Sequence, residues 1–145
     1  MRLALPQPYE DLGHVADVGV RARGATAEEA LARLALALGA LLAGGGPAPV
    51  EGAEERLAVR GGPGLAGTAV ALLRELLWRF ATARRIPAAI EVTACTEDAA
   101  EAVVGWARWD PALHAEGADV KAVTWHAARL EPEGGGWVAQ AVLDI

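Results

Sequence analysis

The order of hydrophobic periodicities along the chain constrains the fold more than any other feature. An alternating segment, Asp17 to Gly24, comes first, with Val18, Val20 and Ala22 on one face. Two segments with helical spacing and one short alternating segment follow, and from Ala88 onward the spacing is again that of strands. This order predicts an α+β fold. We expect two layers, in which a mixed, largely antiparallel sheet packs against two helices.

The two helical segments have recognisable ends. The first begins with Thr26 and Glu29 in the spacing of a capping box and ends at the glycines from Gly44. The second is predicted from about Thr68 to Arg85, with Pro87 closing it. Between them, residues 55–60 alternate as a short strand. Near the end of the chain, 120–130 and 137–143 predict a long hairpin across a glycine-rich turn.

Length and composition limit the function. The 145 residues fit one domain, 1–145, and no stretch is long and apolar enough to cross a membrane. A net charge of −6 argues against direct nucleic-acid binding. The single cysteine, Cys95, cannot form an internal disulfide and suits a cytoplasmic location. Because the chain has no serine, a Ser-His-Asp hydrolase is excluded.

Acidic groups occur at the start of the first strand and at the end of the chain. Asp17 begins the strand, and Asp144 is followed by Ile145, which adds a main-chain carboxylate. If the last strand is buried in the sheet beside the first, these three anionic groups meet and require a proton or a cation. Oxygen ligands favour Ca²⁺ or Mg²⁺. The alternatives are that Asp17 only ends a turn and that Asp144 lies on a solvated tail.

Five short motifs resemble the archease family. They are Tyr9-Glu10, His14-Val-Ala-Asp-Val-Gly19, Leu73-Arg-Glu-Leu-Leu77, Lys121-Ala-Val-Thr-Trp-His126 and Val142-Leu-Asp-Ile145. They occur in the family's order, from residue 9 to the last residue, and are specific only in combination.

The resemblance implies a non-enzymatic protein cofactor. Archeases assist the GTP-dependent RNA ligase that joins tRNA halves, by promoting ligase guanylylation and multiple turnover in tRNA splicing and RNA repair. The implied metal ligands are Asp17, Asp144 and Ile145. We expect a divalent cation there, with Ca²⁺ preferred and Mg²⁺ or Mn²⁺ as other candidates.

The chain departs from the family pattern at several positions. Gly13 and Val15 replace the Asp and Thr that usually flank the histidine of the first motif. On the second helix, Ala71 and Arg74 stand where the family usually has Asp and Asn, and Ala127 replaces an Asp after the strand histidine. These changes leave the predicted metal ligands in place, and they leave open whether a second ion site exists and how strongly the ligase is activated.

Four further residues are candidates to support the metal site or face a partner: His14, Glu75, Lys121 and His126. Each also has a structural interpretation; Glu75, for example, could be an ordinary carboxylate on a helix surface. Two other functions remain open at this point. One is a chaperone-like modulator of a tRNA methyltransferase, and the other is an independent metal hydrolase that uses His14 and Asp17 as an acid–base pair.

Overall fold

The computed structural model describes residues 1–12 and 17–145. Eight strands and three helices occur within them. In chain order they are β1 (Leu3–Ala4), β2 (Glu10–Asp11), β3 (Asp17–Gly24), α1 (Ala27–Ala43), β4 (Glu55–Arg60), α2 (Gly64–Ala83), β5 (Arg85–Cys95), β6 (Ala99–Arg108), α3 (Pro111–His114), β7 (Ala122–Glu133) and β8 (Gly136–Asp144). The predicted α+β class is confirmed.

The strands form two sheets, where the sequence had predicted one. The first sheet has the order β1-β5-β6-β4 and the second has the order β2-β3-β8-β7. Every strand pair in the described residues is antiparallel, so the expected mixed character is wrong. Strand periodicity reports which face of a strand is buried but not which strand it pairs with, and this explains the error.

Helix α1 lies within the core and contacts strands of both sheets. Thr26 Oγ1 accepts a hydrogen bond from the Glu29 amide at 3.1 Å, as the capping motif predicted. The Glu29 carboxylate accepts from the amide of Ala25, one residue before the expected partner. At the other end, Gly44 adopts φ 61° and ends the helix, in a conformation that glycine tolerates best. The leucines at helical spacing lie inward: Leu31, Leu34, Leu38 and Leu42 are fully buried, and Leu41 is partly buried.

Helix α2 is shifted toward the N-terminus relative to its prediction. It begins at Gly64 after Pro63 and ends at Ala83, because Arg84 takes the left-handed conformation with φ 53°. Pro87 therefore does not close the helix; it lies inside β5, next to a register shift between Pro87 and Ala89. Trp78, on α2, is 57% exposed.

The predicted hairpin is confirmed as β7 and β8, but β7 does not alternate along its whole length. Thr124 pairs with Val142, and the next paired residue, Arg129, faces Gln140. The residues in between, 125–128, form a bulge in which Ala127 has φ 53°. Gln140 Nε2 donates a hydrogen bond to the Ala127 carbonyl at 2.8 Å and so anchors this bulge to β8.

A buried histidine fixes the short helix α3. His114 is 1% exposed, and its Nδ1 accepts a hydrogen bond from the Asp110 amide at 2.9 Å. Its Nε2 lies 2.7 Å from the Pro47 carbonyl oxygen, so the neutral ring donates there. Both ring nitrogens are satisfied, and the contact ties the loop after α1 to the segment after β6.

Candidate functional site

Antiparallel pairing of β3 with β8 brings Asp17 next to the last residues of the sequence. The ladder runs without a register shift from Asp17 opposite Asp144 to Gly24 opposite Trp137. Residues directly opposite each other in an antiparallel pair place their side chains on the same face. The two aspartates that the sequence singled out are therefore direct neighbours.

Strand β7 completes this end of the sheet. Ala122 pairs with Asp144 on the other side, and the Lys121 amide donates a hydrogen bond to the Asp144 carbonyl oxygen at 2.7 Å. Lys121 is exposed, and Ile145 is 37% exposed. We call Asp17, Asp144 and Ile145 the acidic end.

The acidic end has an unbalanced charge among the residues that the structure describes. None of the ion pairs found in 1–12 and 17–145 involves Asp17 or Asp144. Within those ranges, no three His, Cys, Asp or Glu side chains form a group that could hold a metal ion. A cation at this place would therefore use two side-chain carboxylates and would need a main-chain oxygen, such as that of Ile145, as a further ligand.

Of the four supporting candidates, only Lys121 adjoins the acidic end through a contact that the structure describes. His14 lies outside the described residues. His126 is in the bulge of β7 and is exposed, because the register shift removes it from the alternation that predicted a place in the sheet.

Glu75 belongs to a different cluster, between α2 and β4. Arg79 donates to Glu55 Oε1 at 2.5 Å, and the indole of Trp106 donates to the same oxygen at 3.2 Å. The Glu75 Oε1 atom lies 3.3 Å from Arg79 Nε, within ion-pair distance but without hydrogen-bond alignment. Glu75 thus contributes to the packing of α2 against β4.

The sequence did not predict the contact between α2 and the bulge. Arg74 Nε donates to the Val123 carbonyl at 3.0 Å, and its guanidinium carbon lies 5.8 Å from the ring centroid of Trp125. Trp125 is 46% exposed. Only the tertiary structure reveals this pair, since α2 and β7 are separated by more than thirty residues in the sequence.

Cysteine chemistry is not favoured. Burial, with a smaller effect from Glu28, raises the pKa of Cys95 to about 11. The thiol therefore stays protonated near neutral pH and is a poor nucleophile or metal ligand.

Comparison with known proteins identifies the family. Residues 9–145 match the model of the Archease protein family (MTH1598/TM1083). The chain belongs to the archease family. Protein archease of Methanosarcina mazei is 33% identical over 141 residues, covering 94% of this chain and 95% of that protein. Protein archease of Methanopyrus kandleri is 32% identical over 141 residues, covering 95% of this chain and 99% of that protein.

Solved structures share the fold. The solution structure of Methanobacterium thermoautotrophicum protein 1598 matches with a TM-score of 0.65 at 22% identity, covering 94% of this chain and 98% of that one. The crystal structure of a Thermotoga maritima archease, described as a possible chaperone, matches with a TM-score of 0.59 at 14% identity, covering 97% and 99%. None of the helices in the described ranges is long and apolar enough to cross a membrane.

Proposed function

We propose that this chain is a non-catalytic cofactor of the GTP-dependent RNA ligase that acts in tRNA splicing and RNA repair. It would promote transfer of GMP from GTP to the ligase, with release of pyrophosphate, and so allow repeated turnover. Membership of the archease family supports this proposal. The observation that carries it is the direct opposition of Asp17 and Asp144, two of the three residues that the family resemblance implies as metal ligands.

The donor set at the acidic end fits a hard divalent cation. Carboxylate oxygens from Asp17 and Asp144, with the main-chain carboxylate of Ile145, suit Ca²⁺, and they suit Mg²⁺ or Mn²⁺ less well. Two opposed carboxylates that have no ion pair within residues 1–12 and 17–145 repel each other, and a bound cation removes that repulsion. When bound, the cation supplies positive charge at a point where a phosphate or an anionic protein group can dock.

Charge also supports docking on a ligase. A cleft that binds GTP is basic, and an acidic partner with a net charge of −6 is attracted to it and oriented by it. Lys121 and His126 are exposed near this end and on the neighbouring bulge, and we place them on the partner-facing side. Glu75, paired within the α2–β4 cluster, would act only through that packing.

Ligase guanylylation tests the proposal. The cognate ligase, GTP and a divalent metal are mixed with the wild-type chain, and covalent ligase–GMP is followed over time. We expect stimulation that falls at least about tenfold in Asp17→Asn and Asp144→Asn, because each substitution removes a charged ligand. Glu97→Gln is a matched control, since it neutralises an exposed carboxylate on the β5–β6 turn, in the other sheet. Absence of stimulation by the wild type would refute the cofactor function.

Metal binding has a separate test that needs no ligase. After chelation and dialysis, Ca²⁺, Mg²⁺ and Mn²⁺ are each titrated against the protein, and the melting temperature is recorded. A cation bound only by the folded state raises the melting temperature. We expect the largest increase with Ca²⁺ and a loss of the increase in Asp17→Asn but not in Glu97→Gln. An equal increase in all three proteins would place the cation elsewhere.

The second candidate is a chaperone-like modulator of a tRNA methyltransferase. The description of the Thermotoga maritima relative as a possible chaperone favours it. To test it, the chain is tagged in its own cells and purified under mild conditions. The proteins that co-purify with it are then identified. Recovery of a ligase supports the first function, and recovery of a methyltransferase without a ligase supports the second.

A further inference from the structure

A cleft of about 740 Å³ opens beside the C-terminal end of α2, on the sheet that does not carry the acidic end. Its walls are the last residues of α2, the loop at 51–53, and the ends of β5 and β6 that lie away from their connecting turn. Three arginines line it: Arg84, Arg85 and Arg108. The volume falls within the range of sites for small molecules, roughly 300 to 1,000 Å³.

Two of these arginines face each other. Arg85 and Arg108 are directly opposed in the β5–β6 ladder, so their side chains leave the same face of the sheet. Like charges in this position destabilise an antiparallel pair. Both residues are exposed, and within the described residues the side chain of Arg85 makes no hydrogen bond or ion pair. The fold thus places two arginines directly opposite each other at the cleft.

The third arginine is held in place by aromatic rings. The guanidinium carbon of Arg84 lies 5.0 Å from the ring centroid of Phe80 and 5.7 Å from that of Trp109. The Arg84 carbonyl also accepts a hydrogen bond from the Trp109 amide at 2.9 Å. Cation–π contacts orient a guanidinium without neutralising its charge. Arg84 therefore adds a positioned positive charge to the wall of the cleft.

The cleft is cationic on an acidic protein. Three arginines and one glutamate, Glu51, leave its lining with a formal charge of +2, whereas the whole chain carries −6. Glu51 neutralises Arg108 only weakly, because its Oε2 lies 3.8 Å from Arg108 Nε and the two side chains are 59% and 80% exposed. An anion that enters can take the place of this contact.

We infer that this cleft binds the phosphate group of a small phosphorylated ligand. Paired guanidinium forks match the several oxygens of a phosphate, and a doubly charged phosphate offsets the repulsion between Arg85 and Arg108. The limited volume of the cleft and the net negative charge of the chain favour a small ligand over an extended RNA strand, which requires a broad basic surface. The site is independent of the ligase proposal, because its residues belong to the other sheet.

Pyrophosphate is the first probe, titrated calorimetrically into the whole chain in a phosphate-free buffer at low salt. Inorganic phosphate, a nucleoside triphosphate, a single-stranded RNA oligonucleotide without terminal phosphates and a short polyglutamate peptide are compared with it. The double variant Arg85→Ala/Arg108→Ala tests the site. The double variant Arg56→Ala/Arg60→Ala is the control, because it removes the same charge from exposed positions on β4.

We expect wild type and control to bind pyrophosphate or the triphosphate with similar affinity, and the site variant to bind at least about tenfold more weakly. Raising the ionic strength from about 0.01 M to about 0.1 M should weaken binding. The inference fails if no small phosphate binds, if both double variants lose affinity equally, or if only the RNA or the peptide binds.

Thermal unfolding supplies a second readout and checks that the variants fold. The wild-type melting temperature should rise with pyrophosphate, because a ligand bound only by the folded state stabilises it. The site variant should melt at or above the wild-type temperature without ligand, since the repulsion is gone, and should show no such rise. A site variant that still gains the full increase would contradict the assignment.

Discussion

The arginines discussed on the two sheets differ in whether they have close acidic partners. On the second sheet, Arg21, Arg23 and Arg129 each have an acidic partner, and together with Glu10, Gln140, Glu131 and Glu133 they form one network. On the first sheet, Arg84, Arg85 and Arg108 line a cleft in which Glu51, weakly paired with Arg108, is the only acidic side chain among the described residues. The same residue type holds strands in register where it is paired and is available to a ligand where it is not.

The acidic end, like the arginine cleft, contains opposed like charges, but here the charges are negative. Asp17 and Asp144 are opposed across β3 and β8, as Arg85 and Arg108 are across β5 and β6. A folded chain tolerates few such opposed like charges unless a counter-ion relieves them. The comparison therefore predicts large effects when the paired network is broken and small or opposite effects when an opposed pair is removed.

The largest effect is expected from Gln140→Met. Gln140 is 7% exposed, accepts a hydrogen bond from Arg21 Nε at 2.9 Å and donates to the Ala127 carbonyl. Methionine keeps the volume but removes both hydrogen bonds and leaves the partly buried Arg21 Nε without its acceptor, at a cost of about 1–3 kcal/mol in the free energy of unfolding. Urea unfolding measures the loss, and hydrogen exchange should be faster at residues 125–128. Thr93→Val, a similar exchange at an exposed position, should change stability by less than about 0.5 kcal/mol.

A smaller effect is expected from pH. Hydrogen bonds from Arg129 and Arg23 lower the pKa of Glu133 from 4.5 to about 2. A carboxyl group with a lowered pKa in the folded state stabilises the protein above its unfolded pKa, and this contribution is lost as the pH falls toward the folded pKa. The melting temperature should therefore decline between about pH 4.5 and pH 2. In Glu133→Gln the decline should be shallower; an identical pH profile would show that the network does not stabilise the fold.

The smallest effect, and one of opposite sign, is expected from Arg85→Glu. The change converts the opposed like charges of Arg85 and Arg108 into a cross-strand ion pair. Such pairs contribute roughly 0.2–1 kcal/mol, so the variant should be slightly more stable than wild type. Denaturant unfolding at low and high salt measures the gain, which should shrink as salt screens the pair. A loss of stability would mean that Arg85 has a structural contact like those of the paired network.

Much of the local structure followed from the sequence. Thr26, Glu29 and Gly44 predicted the limits of α1 because caps are short-range features that the chain itself encodes. The end of α2 was missed because Arg84 adopts a left-handed conformation that is uncommon outside glycine, and no sequence rule marks it. His126 was placed in a regular strand because periodicity cannot foresee a bulge held by a distant glutamine.

The two candidate sites also differ in how far the sequence predicted them. The proximity of Asp17 and Asp144 was predictable, since two aspartates at strand ends and a family resemblance pointed to it. The arginine cleft was not, since Arg84 and Arg85 were placed in the last turn of a helix. Their true neighbours, Arg108 and Trp109, are joined to them only by the pairing of β5 with β6.

The sequence by itself determined the α+β class, the position of the hairpin, the burial of the two helices and the family. These depend on hydrophobic spacing, capping and short motifs, all of which act within one segment of chain. The tertiary structure alone decided that the strands divide into two sheets, and which charges are paired and which stand opposed. Strand pairing joins residues far apart in sequence, and periodicity within a segment cannot specify that choice.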